Sequence, residues 1–233
     1  MSERPAPVAA SSSAHGECPL CRGPLFGWVS VPAQPSEAGV GIPLRERPED
    51  RILDRCESCG VAVEQGASID PVTEWRALGG VEGESIAVPN RASLQAALGE
   101  GGWAGLAHTP GRLVLTPRGL ELLAARAGAG DLSIRFPPFG RSQAWMWQTL
   151  LNGLTFHANF AREVRAGRLR PATARSRAAF AVDAVVTVLA APLVALVSVP
   201  LELLATLARR GGEIVAEANN SAGSSASRPG PAG

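Results

Sequence analysis

The chain has 233 residues, 18% of them charged, and a formal net charge of +1 at pH 7. This length suffices for one medium-sized domain with a small appendage. The near-neutral charge argues against a nucleic-acid-binding protein that depends on bulk electrostatic attraction. We therefore expect no nucleic-acid partner.

Both ends of the chain have a composition typical of disorder. Residues 1–16 are rich in Ser, Ala and Pro without periodicity, and residues 219–233 have the same character. We predict a disordered leader and a disordered tail. Residues 1–14 contain no apolar segment of the kind found in signal peptides, so we expect the cysteines that follow to be in a reducing, cytoplasmic environment.

The four cysteines form two C-x-x-C pairs of equal internal spacing, Cys18-Pro19-Leu20-Cys21 and Cys56-Glu57-Ser58-Cys59. Two such pairs are typical of a tetrahedral Zn²⁺ site, in which the turn of each pair brings two thiolates to one metal ion. We predict a zinc ribbon over residues 17–66, and its ligands are Cys18, Cys21, Cys56 and Cys59. The insert between the pairs is long for a compact ribbon, so part of residues 31–49 is expected to loop out.

Other interpretations of the cysteines fit less well. Two disulfide bonds need an oxidising compartment. A thioredoxin-like redox site has one C-x-x-C pair in a βαβ unit, whereas these two pairs lie in sequence rich in Pro and Gly. His15 lies three residues before Cys18, but four cysteines already complete a zinc site, so His15 is interpreted as a solvated residue of the leader.

Short strands and helices alternate after the cysteine pairs. We predict strands at residues 85–88, 112–115 and 132–136, and helices at 70–78, 92–98 and 117–127. Asp70 and Thr116 each precede a proline at the first helical position, which is typical of an N-cap, and Gly128 has the position of a C-cap. The alternation is typical of an α/β sheet with parallel strands.

Part of this region resembles a known family. The segments Glu84–Asn90, Ser93–Gln95 and Leu115–Gly128, together with Trp103, resemble the C-terminal half of class I S-adenosylmethionine-dependent methyltransferases. Residues 211–218 look like the final strand of that fold, and the C-P-x-C and R-C-x-x-C-G segments are similar to a zinc ribbon that some members carry. The resemblance implies a truncated, half-Rossmann sheet over residues 70–140, completed by residues 211–218.

The chain departs from this family where the cofactor is bound. The resemblance implies a Gly-rich turn after an early strand and an acidic residue at the end of the next strand. Between Cys59 and Ser85 there is no room for the β-α-β-α units that carry these features. We therefore predict no catalytic residues and no S-adenosylmethionine site. The missing strands would leave an open sheet edge, which we expect this chain or a partner protein to cover.

Residues 142–163 have the spacing of an amphipathic helix, with Trp147, Leu151 and Leu154 on one face. Packing of this face against the sheet and contact with a membrane interface both remain open. Asn152 and His157 have no acidic or thiol partner at catalytic spacing, so no role is assigned to them.

Residues 184–201 carry no charge and have the minimum length of a spanning helix. Pro192 and Pro200 interrupt the segment, and arginines flank both of its ends, so a kinked hairpin that enters one leaflet is favoured over a span. A helical pair buried against the sheet or a partner is the third possibility. We expect membrane association through residues 180–207 on the cytoplasmic side, with a cytoplasmic location as the alternative.

These patterns together predict an α+β fold with a zinc ribbon (17–66), a truncated α/β region (70–140), amphipathic and apolar helices (141–210) and a final strand (211–218). The favoured function is a non-catalytic scaffold that associates with a membrane or a protein partner. The alternative is a methyltransferase whose cofactor-binding half is supplied by another chain. The sequence identifies no small-molecule substrate.

Overall fold

The computed structural model describes residues 14–31, 51–80, 85–109, 111–165, 167 and 173–218. Most of the predicted leader, the predicted looped insert and the predicted tail lie outside these residues. The described residues form a mixed fold of antiparallel strands and helices, with one long helix near the C-terminal end.

The strands are β1 (Gly16–Glu17), β2 (Pro24–Val31), β3 (Arg51–Cys56), β4 (Ala62–Glu64), β5 (Ser85–Pro89), β6 (Leu113–Val114), β7 (Leu132–Arg135) and β8 (Glu213–Ala218). The α-helices are α1 (Pro71–Ala77), α2 (Leu94–Gly99), α3 (Pro117–Ala127), α4 (Arg141–Leu154), α5 (Phe160–Arg165) and α6 (Ala174–Leu207). Two short 3₁₀ turns lie between α2 and β6, at Glu100–Gly102 and Ala104–His108.

The strands form two sheets. The first has the order β1-β2-β3-β4-β6 and contains both cysteine pairs, and all its neighbouring strands are antiparallel. The second has the order β5-β8-β7, in which β8 is antiparallel to both neighbours. The strands β5 and β7 therefore run in the same direction, with the last strand of the chain inserted between them.

The parallel α/β sheet expected from the strand and helix alternation is not formed by the described residues. The strand predicted at 112–115 does not join the second sheet but pairs with β4 of the first. Val114 lies opposite Ala62, and Leu113 lies opposite Val63. Leu113 and Val114 are both buried, and they contribute to two different apolar clusters. A two-residue strand buried on both faces has no pattern that identifies its sheet, because the sequence indicates a strand and not its partner.

The predicted C-terminal hairpin is also corrected. Residues 174–207 form one continuous helix of 34 residues that contains both prolines. Pro192 and Pro200 are exposed, so their rings meet no packed element, and the helix continues on its packed side. The predicted helix at 142–163 is instead two helices, α4 and α5, joined by a turn at residues 155–159.

The local signals at the helix ends are confirmed. The side chain of Asp70 accepts a hydrogen bond from the Thr73 backbone N–H, at 2.9 Å. Thr116 accepts one from the Gly119 backbone N–H, at 3.0 Å. Gly128 ends α3 in the left-handed conformation, with φ of 78°. Each residue satisfies a backbone group that a helix terminus leaves unpaired.

One apolar core connects the cysteine region to the second sheet. It contains the buried residues Cys18, Leu20, Leu25, Cys56, Cys59, Val61, Val63, Trp75, Ile86, Val88, Leu113, Leu115, Leu120, Leu123, Ala124, Ile214 and Ala216. The residues come from both sheets and from α1 and α3. The cysteine region and the second sheet thus stabilise each other through the same buried apolar surface.

The close approach of α3 to the cysteine region requires Gly119. A Cβ atom at this position would lie 2.0 Å from Cγ2 of Val61, which has no free space because it is fully buried. Gly153, near the end of α4, is exposed and has no atom within 4 Å of its equivalent Cβ position. Substitution by alanine would therefore cause a steric clash at Gly119 but none at Gly153.

We expect Gly119→Ala to lower the free energy of unfolding by roughly 1–3 kcal/mol, because the added methyl group forces α3 away from Val61. Gly153→Ala is the matched control, and it should raise that free energy by up to about 1 kcal/mol, since alanine loses less backbone entropy in a helix. Urea denaturation of the metal-loaded protein measures both. Equal effects of the two substitutions would contradict the packing described for α3.

Candidate metal centre

The four predicted ligands lie together. The sulfur atoms of Cys18, Cys21, Cys56 and Cys59 are all within 4.8 Å of one another. The Cys18 and Cys59 sulfurs are 3.7 Å apart, and those of Cys21 and Cys56 are 3.4 Å apart. Four thiolates at metal–sulfur distances of about 2.3 Å around a tetrahedral ion would be separated by about 3.8 Å. The cluster therefore has the size needed to hold one tetrahedral metal ion.

The two C-x-x-C turns have matching backbone geometry. Arg22 follows the first pair and Gly60 follows the second, and both have left-handed backbones, with φ of 62° and 74°. The N–H of Arg22 donates to the carbonyl of Cys18 at 2.8 Å, as that of Gly60 does to Cys56 at 2.9 Å. Each turn thus folds in the same way and contributes two sulfurs from its own segment.

The turns also approach each other closely at Gly23. A Cβ atom on Gly23 would lie 2.3 Å from Oγ and 2.8 Å from Cβ of Ser58, and 3.2 Å from the sulfur of Cys56. Glycine at this position allows the first turn to pack directly on the second. The distance between the two pairs of thiols, and so the size of the metal site, depends on this contact.

Backbone N–H groups are directed at the sulfurs. The N–H of Gly23 donates to the Cys21 sulfur at 3.4 Å. The hydrogen bond between the Cys18 and Cys59 sulfurs lowers the pKa of Cys18 to about 5 and raises the pKa of Cys59. Burial raises the pKa of Cys21. A bound cation would take the place of the proton that the Cys18 and Cys59 sulfurs share.

Thr116 connects the metal centre to helix α3. Its hydroxyl group donates to the carbonyl of Cys59 at 2.7 Å and accepts from the N–H of Gly119 at 3.0 Å. One buried side chain therefore caps the helix and fixes the second cysteine turn. His15, expected to be solvated, instead lies 3.1 Å from a carboxylate oxygen of Asp54, on the sheet that carries the cysteines.

Two buried carboxylates of α6 form polar clusters that the sequence did not indicate. Asp183 accepts from the ring Nδ1 of His157 at 2.7 Å and from the backbone N–H groups of Phe156 and His157, at 2.7 and 3.0 Å. Asn152 also has a role, because its amide donates to the carbonyl of Gly102 at 2.7 Å. His157 and Asp183 are 26 residues apart, so no local spacing reveals the pair.

Glu202 is the second buried carboxylate. It accepts from the side-chain amide of Gln95 at 2.7 Å, from the backbone N–H of Gly212 at 2.9 Å and from the hydroxyl of Ser142. These donors come from α2, from the residue before β8 and from α4. A Cβ atom on Gly212 would lie 2.0 Å from the Gln95 amide nitrogen, so glycine is required there. Both clusters attach α6 to the rest of the protein.

Models of protein families, curated proteins and solved structures were all compared with this chain, and none of them matches it. The geometry of the described residues is therefore the basis for assigning a function. Among these residues, the four cysteines are the one group of three or more histidine, cysteine or acidic side chains placed to hold a metal ion.

We expect the purified protein to contain one metal ion per chain, and Gly23→Ala to reduce that content, because the methyl group would separate the two cysteine turns. Replacing Ser58 with glycine in the same chain removes the Oγ and Cβ atoms that the methyl group meets. The double variant Gly23→Ala/Ser58→Gly should therefore recover much of the metal content. Elemental analysis of reduced, folded protein measures all three, and a metal content near zero in the unmodified chain would refute the site.

Proposed function

We propose that this protein is a zinc-stabilised scaffold that associates with membranes, that it descends from a methyltransferase-like ancestor, and that it has no S-adenosylmethionine site of its own. The observation that carries the proposal is the surface of α6. After its first two turns the helix buries Asp183, Ser198 and Glu202 against the protein, while most of its large aliphatic side chains are exposed, which is the reverse of a soluble amphipathic helix.

Zinc is proposed because four thiolates with no other donor suit an ion that prefers tetrahedral sulfur coordination. Four protein ligands leave no open position for water or substrate, which indicates a structural metal and not a catalytic one. The cysteines Cys18, Cys56 and Cys59 are buried in the shared core. Metal binding would therefore add folding free energy to the first sheet and to the elements that pack on it.

Membrane association is proposed from the apolar area that α6 leaves uncovered. It is long and apolar enough to cross a membrane by length and composition, and 11% of its most apolar window is buried. Six of its large apolar residues have between 62% and 81% of their surface exposed, namely Val188, Leu189, Leu193, Leu196, Leu204 and Leu207. Each large aliphatic side chain that leaves water gains about 1.5–3 kcal/mol, and lipid is the apolar phase available to this surface.

We also propose a methyltransferase-like ancestor and a cytoplasmic location. The resemblance of residues 84–128 and 211–218 to the methyltransferase family supports a common origin, and the lack of room for the cofactor-binding units supports a loss of that activity. Exposed arginines next to α6 favour the anionic, cytoplasmic face of a membrane. Cysteines that bind metal as thiolates agree with that reducing compartment.

The alternative function is a methyltransferase completed by a second chain. It is favoured by one observation: β5 is an edge strand of the second sheet, so that one of its sides has no neighbouring strand among the described residues. A strand from a cofactor-binding protein could pair there, since edge strands offer unpaired backbone groups.

We expect the chain to float with vesicles of phosphatidylcholine and phosphatidylglycerol in a density gradient. Leu193→Glu/Leu196→Glu should leave the fold intact, because both side chains are exposed, and should remove about 3 kcal/mol or more of the transfer free energy. Val72→Glu is the matched control, an exposed apolar residue on α1 that should bind vesicles unchanged. A soluble monomer that stays below the vesicles would refute the membrane part of the proposal.

We also expect calorimetric titration of the isolated chain with S-adenosylmethionine to give no binding isotherm, because no Gly-rich turn follows a strand in its sequence. The titration is then repeated with the zinc-loaded chain mixed with the product of each neighbouring gene in turn. This comparison distinguishes the two candidate functions. Saturable one-site binding by the isolated chain would refute the loss of the cofactor site. Binding that appears only with a second protein would support the alternative.

A further inference from the structure

We infer that α6 is a monotopic anchor that lies parallel to the bilayer plane in one leaflet and does not cross it. This inference rests on the proposed membrane association and names its geometry. It follows from how both ends of α6, and the middle of its length, are attached to a single folded body.

The N-terminal part of α6 is attached through Asp183 and Phe180. Asp183 holds the turn between α4 and α5 through three hydrogen bonds from Phe156 and His157. The ring of Phe180 packs edge-on against Phe160 of α5, with centroids 5.1 Å apart. This end of the helix therefore remains beside the protein body.

The C-terminal part is attached more firmly. Glu202 binds α2, α4 and the segment before β8. The strand β8 begins at Glu213, six residues after the end of α6, and pairs with both β5 and β7. The chain after α6 thus belongs to the same sheet as strands that precede α6. A helix that crossed a bilayer would place its two ends on opposite sides, and β8 would have to leave this sheet.

Helix α4 occupies the space along the middle of α6. The indole N–H of Trp147 donates to the carbonyl of Ala191 at 3.1 Å, and the amide of Gln143 donates to the hydroxyl of Ser198 at 3.3 Å. The other side of α4 contacts α2, where the Gln95 amide donates to the Ser142 carbonyl at 2.7 Å. A crossing orientation would draw these polar groups into hydrocarbon along with α6, which is costly.

The length and the ends of α6 agree with an in-plane position. A helix of 34 residues is about 51 Å long, well beyond the hydrocarbon thickness of about 30 Å. Arg175 and Arg177 are exposed at one end, and Arg209 and Arg210 at the other. A helix in the plane brings both groups to the same anionic headgroups, whereas a span would place one group on the far side.

The two prolines favour a shallow depth. Pro192 and Pro200 remove the N–H groups that would bind the carbonyls of Val188 and Leu196. Pro192, Val188, Pro200 and Leu196 are all exposed on the outer surface of α6. Water and headgroups at the interface can bind these carbonyls, but the centre of the bilayer cannot.

The test uses the full chain with a different epitope tag at each terminus, each behind a specific protease site, and reconstituted from detergent into sealed vesicles. Flotation first establishes association, so a failure of the proposed function is seen before topology is measured. External protease should then remove both tags from a molecule or neither, because β1 and β8, the strands nearest the two ends, belong to the same folded body. Molecules that lose one tag and keep the other would overturn the inference, and a tagged single-span protein gives that pattern as a control.

A second measurement examines the ends of the helix. Arg177→Gln and Arg209→Gln, one substitution at each end, should each lower partitioning into anionic vesicles by a similar factor of roughly five at low salt. The effect should disappear in high salt, because exposed charges are then screened. An effect confined to one end would overturn the in-plane geometry.

Discussion

Two buried carboxylates, Asp183 and Glu202, determine how the apolar helix α6 is held. A buried carboxylate is costly unless donors surround it, and each of these accepts three hydrogen bonds from other segments. The donors fix the rotation of α6 about its axis. The long apolar surface must then face outwards, and the membrane proposal depends on this orientation.

The cysteine cluster lies in the apolar core that both sheets share. The cysteine turns are small, and their apolar contacts alone would be few for an independent unit. Thr116 and Gly119 bring helix α3 against the second turn, and that helix also contributes Leu120 and Leu123 to the shared core. Metal binding at the cysteines would therefore be coupled through α3 to the sheet that contains β8.

Local chemistry allowed much of this structure to be predicted. The C-x-x-C pairs gave all four members of the thiol cluster, and Asp70, Thr116 and Gly128 gave three helix ends, because these signals depend on neighbours in the sequence. Strand partners could not be predicted in the same way. β6 has two residues, and both are buried. It joins the first sheet by pairing with β4, where Leu113 lies opposite Val63, 50 residues earlier in the chain.

The behaviour of α6 was mispredicted for a related reason. Proline removes a hydrogen bond wherever it lies in a helix, but whether the helix breaks depends on what its other side packs against. Contacts of Trp147 and Gln143 with α6 continue past Pro192, so the helix does not fold back on itself. His157 and Asp183 likewise form a pair only because α4 and α6 lie side by side. Such long-range contacts leave no spacing for a sequence pattern to reveal.

Neutron reflectometry of the full chain on a supported bilayer of phosphatidylcholine and phosphatidylglycerol tests the position of α6 most directly. The density profile should place the folded body on one side of the bilayer, with protein density that extends only into the adjacent leaflet. Protein density throughout the bilayer and on its far side would contradict an in-plane anchor. A bare bilayer with the protein left in solution would contradict membrane association itself.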